Sequence, residues 1–367
     1  MAFFGGNTAQ SGPSAAANAN NQGDLSKDIE LSSPPEDSVS DISFSSQSEH
    51  LAVASWDKKV RIYEISDTGS SVGKAAYDHE GPVLSVVWSK DGSKVISGGA
   101  DKAARMYDLQ SGVSTQVAVH DQPIRACRFI QPPNGAEMLV TGSWDKSLKY
   151  WDLRQQAPVA TLQLSERVYT LDVAQSLMVV GLAEKQIEIV NLANPTAIWK
   201  TIPSPLKWQT RVVTCFPDAS GFAVGSIEGR CAIQYVDEKQ SNMNFSFKCH
   251  RETPVGPVGP VGTPNVNVFS VNAISFHPTY GTFSTAGSDG TFHFWDKDAK
   301  HRLKGYPSVN GTIPATAFNR NGSIFAYAIS YDWSKGHQSN NPQYPIKVML
   351  HPIKDDEAKP KPVVKKR

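Results

Sequence analysis

Runs of alternating apolar and polar residues recur along the chain, and no stretch holds a convincing 3.6-residue period. Val83-Leu84-Ser85-Val86-Val87-Trp88 and Lys94-Val95-Ile96-Ser97 are two such runs. Between them lies Asp91-Gly92, a reversal signal because glycine accepts φ > 0 without a Cβ clash. The same order of run, turn and run appears at Ala315–Phe318, Asn321-Gly322 and Ile324–Ala328. Each pair reads as a hairpin of buried or half-buried strands, so the chain is predicted to be all-β.

Self-comparison groups the hairpins into units. Each pair is followed by a third run that opens on an acid. The segment SWDKSLKYWDL at Ser143–Leu153 is echoed at Ser55–Ile65, Ala100–Leu109 and Ser288–Lys297. Weaker copies lie at Ala183–Leu192 and Ile227–Val236, and a seventh is split between Ser330–Trp333 and Ile346–Pro352. In four units the acid precedes an aromatic by six residues: Asp57 and Tyr63, Asp101 and Tyr107, Asp145 and Trp151, Asp289 and Trp295. Spacing at that slot, through Val190, Gln234 and Met349, runs 44, 44, 39, 44, 61 and 54. A period of about 40–45 with a Trp-Asp ending is the WD-repeat pattern. The expected fold is a seven-bladed WD-repeat β-propeller with about four strands per blade.

The last unit supplies three strands, near Thr312–Phe318, Ser323–Ser330 and Ile346–Ile353. Lys27-Asp28-Ile29-Glu30-Leu31 has the alternation to supply the fourth, which closes the ring and removes its open edge. The expected organisation is a disordered tail at 1–26, a propeller at 27–353 with its closing strand in 27–32, and a basic tail at 354–367. Within a blade, the opening aspartate is expected to accept from backbone amides and from a histidine in the preceding loop, His79 or His120. The Trp or Tyr slot should close the set with an N–H or O–H donor. Asp101, Asp145, His79, His120 and Trp151 are then structural rather than catalytic.

Composition narrows the function classes. The chain has 36 basic and 35 acidic residues among 367, and 40% are apolar, enough for a sizeable core. Residues 354–367 carry six bases and three acids, and the first 35 carry Lys27 against Asp24, Asp28 and Glu30. These ends account for the whole net charge of +1, so the body is neutral and bulk electrostatic binding of nucleic acid is excluded. The longest apolar stretch, Leu177–Ala183, is too short for a membrane span. Cys127, Cys215, Cys231 and Cys249 form no CxxC and read as reduced thiols of an intracellular protein; no secretory leader is evident. Residues 1–23 are uncharged and poor in large apolar groups. Phe3-Phe4-Gly5-Gly6 holds a single Phe-Gly step. Pro254–Gly262 repeats Pro-Val-Gly and reads as a long loop. No phosphate-binding glycine loop, HExxH, metal-spaced His/Cys set or plausible GxSxG occurs, so neither catalytic residues, nor a metal, nor a cofactor is expected.

Several segments are more specific than the repeat itself: Lys27–Glu30, Gly142–Lys146, Gly225–Arg230, Phe247–Arg251, Phe294–Ala299 and Ser330-Tyr331-Asp332-Trp333-Ser334-Lys335-Gly336-His337. In these, over about residues 27–350, the chain closely resembles the Rae/Gle family of WD-repeat mRNA-export factors. The resemblance implies a non-enzymatic adaptor at the nuclear pore and nuclear envelope rim that shuttles to the cytoplasm. It implies binding to the hairpin-like GLEBS motif of a Phe-Gly nucleoporin, support for export of polyadenylated mRNA or mRNA–protein particles, and no membrane partner. Related propellers serve the spindle checkpoint, so a mitotic scaffold that binds checkpoint proteins is the alternative.

Two surfaces are candidates. Propellers bind through the loops at their faces. Trp56 and Trp144 immediately precede their acid turns, beside Lys58 and Lys146, and Trp333 and Lys335 stand at the corresponding turn of the seventh unit. Exposed tryptophan flanked by lysine has the composition of an interface hot spot, whereas tryptophan packed between blades would not bind; both readings stand for Trp56 and Trp144. The six residues are the expected nucleoporin-motif site. The resemblance also places Arg230, Phe247, Lys248, Trp295, Lys297, Lys300 and Arg302 near one groove. There, cations beside an aromatic platform, Phe247, suit single-stranded RNA, although Asp296 and Asp298 interrupt the charge.

Overall fold

The computed structural model describes residues 21–66, 69–133, 135–253 and 265–361. The expectations for residues 1–20, for Pro254–Gly262 and for 362–367 lie outside the described residues. Seven four-stranded antiparallel sheets succeed one another along the chain. Their axial strands are Val39–Phe44, Val83–Trp88, Ile124–Ile130, Val168–Ala174, Thr210–Cys215, Val271–Phe276 and Thr316–Phe318. In six blades the strands run outward in chain order. In the seventh, Ile29–Glu30 pairs outside Lys347–Pro352, with Ile29 opposite Leu350 and Glu30 opposite Met349, which is the expected closure.

Each blade packs on both faces, so the second strands are apolar without alternation. Leu177–Leu182, Gly221–Ser226 and Ile324–Ile329 are buried at every position. One hydrophobic cluster fills each blade boundary. At the closure it comprises Leu31, Ile42, Leu51, Val53, Ala326, Val348 and Leu350 among others. A belt of hydrogen bonds joins neighbouring axial strands. Asp41 accepts from the Val86 amide (3.0 Å), Ser85 Oγ from the Cys127 amide (3.2 Å), Asp172 from Arg128 (3.0 Å) and from the Cys215 amide (2.9 Å), and Ser275 Oγ donates to the Thr316 carbonyl (2.8 Å). Each of the first six axial strands also shifts register one residue in, at Ser40, Leu84, Arg125, Tyr169, Arg211 and Asn272. A bulge re-aims its side chain, and Ser40, Arg125, Arg211 and Asn272 line the axial channel.

The ends engage the body more than their composition suggests. The Gly23 amide donates to the Gly305 carbonyl (2.7 Å), and Leu25 packs on the cluster of blades six and seven. Asp355–Ala358 forms one helical turn with Glu357 and Ala358 buried, which corrects the expectation of a wholly solvated segment after 353. The reason is His351. Its Nδ1 meets Asp28 at 2.6 Å and its Nε2 meets Glu357 at 3.3 Å, while Tyr327 donates to the other Asp28 oxygen (2.7 Å). Burial opposes the imidazolium, but the two carboxylates outweigh it and raise its pKa to about 9.

Candidate functional site

The acid turns are polar clasps inside the blades. In blade two, His79 Nδ1 meets Asp101 at 2.9 Å and its Nε2 meets Ser97 Oγ at 2.7 Å. In blade three, His120 bridges Asp145 and Thr141, both at 2.8 Å, and Trp151 Nε1 donates to Thr141 Oγ1 at 2.8 Å. Burial lowers the pKa of His120 against the pull of Asp145, so it is neutral at pH 7. A third clasp was not legible in the sequence: His250 bridges Asp289 (2.9 Å) and Thr285 (3.0 Å), and Trp295 donates to Thr285 (2.9 Å). His250 lies 39 residues before its aspartate, against 22 and 25 in the other two, because the Pro/Gly insert intervenes.

The tyrosines do not close their clasps as expected. Tyr63 donates to the Ser33 carbonyl (2.7 Å). In blade two the donor to Ser97 is Tyr77 (2.9 Å), from the outer strand of blade one, and Tyr107 only stacks on it. An indole N–H projects from the side of the ring, whereas a phenol carries its hydroxyl at the far end, past the threonine or serine.

After each acid the chain turns left-handed, at Lys58 (φ 70°), Lys102 (68°), Lys146 (65°), Lys185 (60°), Gly229 (64°), Gly290 (71°) and Trp333 (61°). A non-glycine residue there costs of order 1–3 kcal/mol. Lysine or glycine fills six of these seven slots, and in blade seven the occupant is tryptophan. Trp333 stacks on Trp56 of blade one with centroids 4.1 Å apart and planes 23° apart. Its Nε1 is buried and has no hydrogen-bond partner among the described residues. Trp56 is thus half-buried at the closure, while Trp144 stands 40% exposed. Lys58 and Lys335 are exposed. Lys146, expected as a free flank of Trp144, is instead held by Glu166 at 2.6 Å. The same face carries two apolar residues that sequence reasoning missed, Trp208 (53% exposed) and Ile227 (43%). Trp208 follows Lys207, whose Nζ lies 5.7 Å from its ring, and repeats the Lys-beside-Trp pairing outside the repeat copies.

The second set gathers along the boundary of blades five and six. Arg230 lies opposite Lys248. On Phe245–Lys248 the alternation turns Phe245 and Phe247 inward and Ser246 and Lys248 outward. Phe247 packs 4.5 Å from Trp295 and 6.4 Å from Phe283, so it is a half-buried packing residue rather than the open platform expected. Lys300 Nζ lies 5.0 Å from the Phe245 ring. Lys297 sits over Phe216 (5.2 Å) and Tyr235 (5.9 Å) and bonds Asp298 at 2.7 Å. Burial opposes its charge, and Asp298 outweighs burial to raise its pKa. Arg230 lies 3.9 Å from Glu228. Among the described residues, the strip's solvent-facing charge without an acid partner narrows to Lys248, Lys300 and Arg302, the last opposite Trp295.

Burial pushes the thiols of Cys127 and Cys249 up to about 12. Among the described residues no three His, Cys, Asp or Glu side chains form a metal-holding group, and no helix is long and apolar enough to cross a membrane.

Comparison with known proteins agrees with the repeats. Residues 29–64, 73–108, 113–152 and 261–296 match the family described as WD domain, G-beta repeat. The chain is 60% identical to the mRNA export factor GLE2 of Chaetomium thermophilum, over 97% of this chain and 99% of that protein. It is 56% identical to the Poly(A)+ RNA export protein of Schizosaccharomyces pombe, over 99% of each, and 45% identical to Protein Rae1 of Drosophila melanogaster, over 91% and 96%.

Proposed function

The chain belongs to the Rae/Gle family of WD-repeat mRNA-export factors, and from that premise we propose that it is a non-enzymatic adaptor of mRNA export at the nuclear pore. Its acid-turn face binds the GLEBS-type motif of a Phe-Gly nucleoporin, with the Trp56–Trp333 stack, Trp144, Lys58, Lys146 and Lys335 in contact. The observation that carries this reading is Trp333: a bulky ring in a left-handed slot that six other turns fill with lysine or glycine. A large aromatic there, stacked on Trp56 at the acid-turn face where the other turns place lysine or glycine, supports a binding role. The strip of Lys248, Lys300 and Arg302, with Arg230, Phe247 and Lys297 behind it, holds single-stranded RNA by its phosphates, and the half-buried aromatics offer their edges to bases.

Calorimetry with a GLEBS-type peptide tests the first surface. Trp333→Lys restores the occupant of four other turns and should weaken binding by about tenfold or more, the scale of a hot-spot aromatic. Unchanged affinity would remove this face. For RNA, Lys248→Glu combined with Arg302→Glu should lower affinity and flatten the slope of log K against log salt by about 1.4, from ~0.7 per phosphate contact on a single strand. An unchanged slope would exclude the strip.

A further inference from the structure

Three guanidinium groups project into the axial channel, a cavity of about 220 Å³. Arg128 is paired with Asp172. Arg125 and Arg211 are not paired: each stands at the bulge of its axial strand, in blades three and five. Arg125 donates to the Leu84 carbonyl (3.1 Å) and Arg211 to the Asp332 carbonyl (3.1 Å), and neither meets a carboxylate within salt-bridge distance among the described residues. A guanidinium has five N–H donors, so most of theirs remain for the cavity. Asp41 favours the charge of Arg125 from nearby, but its carboxylate oxygens accept from Ser85 and from the Val86 and Ile42 amides, not from either guanidinium. Burial, then the facing charge of Arg211, brings the pKa of Arg125 down to about 10 against the pull of Asp41, so it stays cationic at neutral pH.

Half-buried cations without a carboxylate partner, two of them facing one cavity, invite an anion. We propose that the axial channel is a binding site for a small phosphate-type oxyanion, clamped between Arg125 and Arg211. Planar guanidinium forks suit the oxygens of a phosphate, and the cavity is smaller than the ~300–1,000 Å³ that encloses a drug-sized molecule. The site is separate from both surfaces proposed above, and its ligand is held by two side chains that neither surface uses.

The test is thermal unfolding and calorimetry of the full chain with inorganic phosphate, against chloride at matched ionic strength. Saturable stabilisation by phosphate alone is expected. Arg125→Gln should weaken it on the order of tenfold, the loss of one charge-assisted hydrogen bond. Lys248→Glu should leave it unchanged, which separates the channel from the surface strip. Asp41→Asn removes a negative charge but keeps an acceptor for Val86, and should tighten binding. Adenosine monophosphate distinguishes a free ion from a phosphate carried on a larger molecule: weaker stabilisation than by phosphate assigns the free ion, stronger stabilisation assigns the carried group. Absence of saturable stabilisation in the unsubstituted protein, equal binding by Arg125→Gln, or weaker binding by Asp41→Asn would each overturn the proposal.

Discussion

His250 holds a half-buried aspartate and a buried threonine at once, and the threonine in turn accepts from Trp295. His250→Ala leaves Asp289 with Thr291 alone and Thr285 with Trp295 alone, so a loss of about 1–3 kcal/mol is expected in urea unfolding, the scale of a lost charge-assisted hydrogen bond at a buried site. A loss under about 1 kcal/mol would mean that the clasp is not a structural unit. Trp333→Lys, by contrast, trades a ring stack for a residue that four other turns carry at a similar φ, and should change stability by no more than about 1 kcal/mol. This separates its binding role from folding. The aspartates and two of the histidines were legible because periodicity fixes their place in a turn. The tyrosines and Phe247 were not. Their partners depend on where a hydroxyl lies along the ring and on which neighbouring blade a side chain meets, and no single repeat encodes that.

At the scale of elements, the closing strand and the last helical turn are one device. Leu31 is 1% exposed in the cluster at the closure. Leu31→Ala should cost about 2–5 kcal/mol by calorimetric or urea unfolding, as for a buried leucine elsewhere in the core, if the strand is integral to the ring. His351 gives the closure a pH signature. Its pKa is about 9 in the folded chain against 6.5 for the ordinary side chain. The stability it contributes is therefore complete below pH 6.5, declines as pH rises through 9 and is absent above. The contribution is at most about 3 kcal/mol. Asp28→Asn should flatten that decline; a decline of the same size in the variant would contradict the assignment. His120 works on the other side. Its pKa is lowered, so it withdraws stability as pH falls below 6.5. The strand was legible from the Ile29/Leu31 alternation. The helical turn was not, because its acids and lysines read as solvated until Glu357 is seen facing His351.

At the scale of the whole molecule, a neutral chain can fill the adaptor role proposed for it. The seven blades form one ring, since each blade buries its faces only against its neighbours. Repeat arithmetic made that architecture legible, including the two long spacings. It could not say which loop residues stay exposed. Trp208 and Ile227 belong to the open face, whereas Lys146 and Lys297 are held by acids. The proposed binding surfaces are then local patches on a neutral ring: an aromatic face around the acid turns, and a short cationic strip at one blade boundary. Amide hydrogen exchange with and without a GLEBS-type nucleoporin peptide tests this division most directly. The account predicts peptide-induced protection at the turns that carry Trp56, Trp144 and Trp333, with the strand Phe245–Lys248 unchanged. Protection confined to that strand, or to the opposite face, with the acid turns exchanging as before, would contradict it.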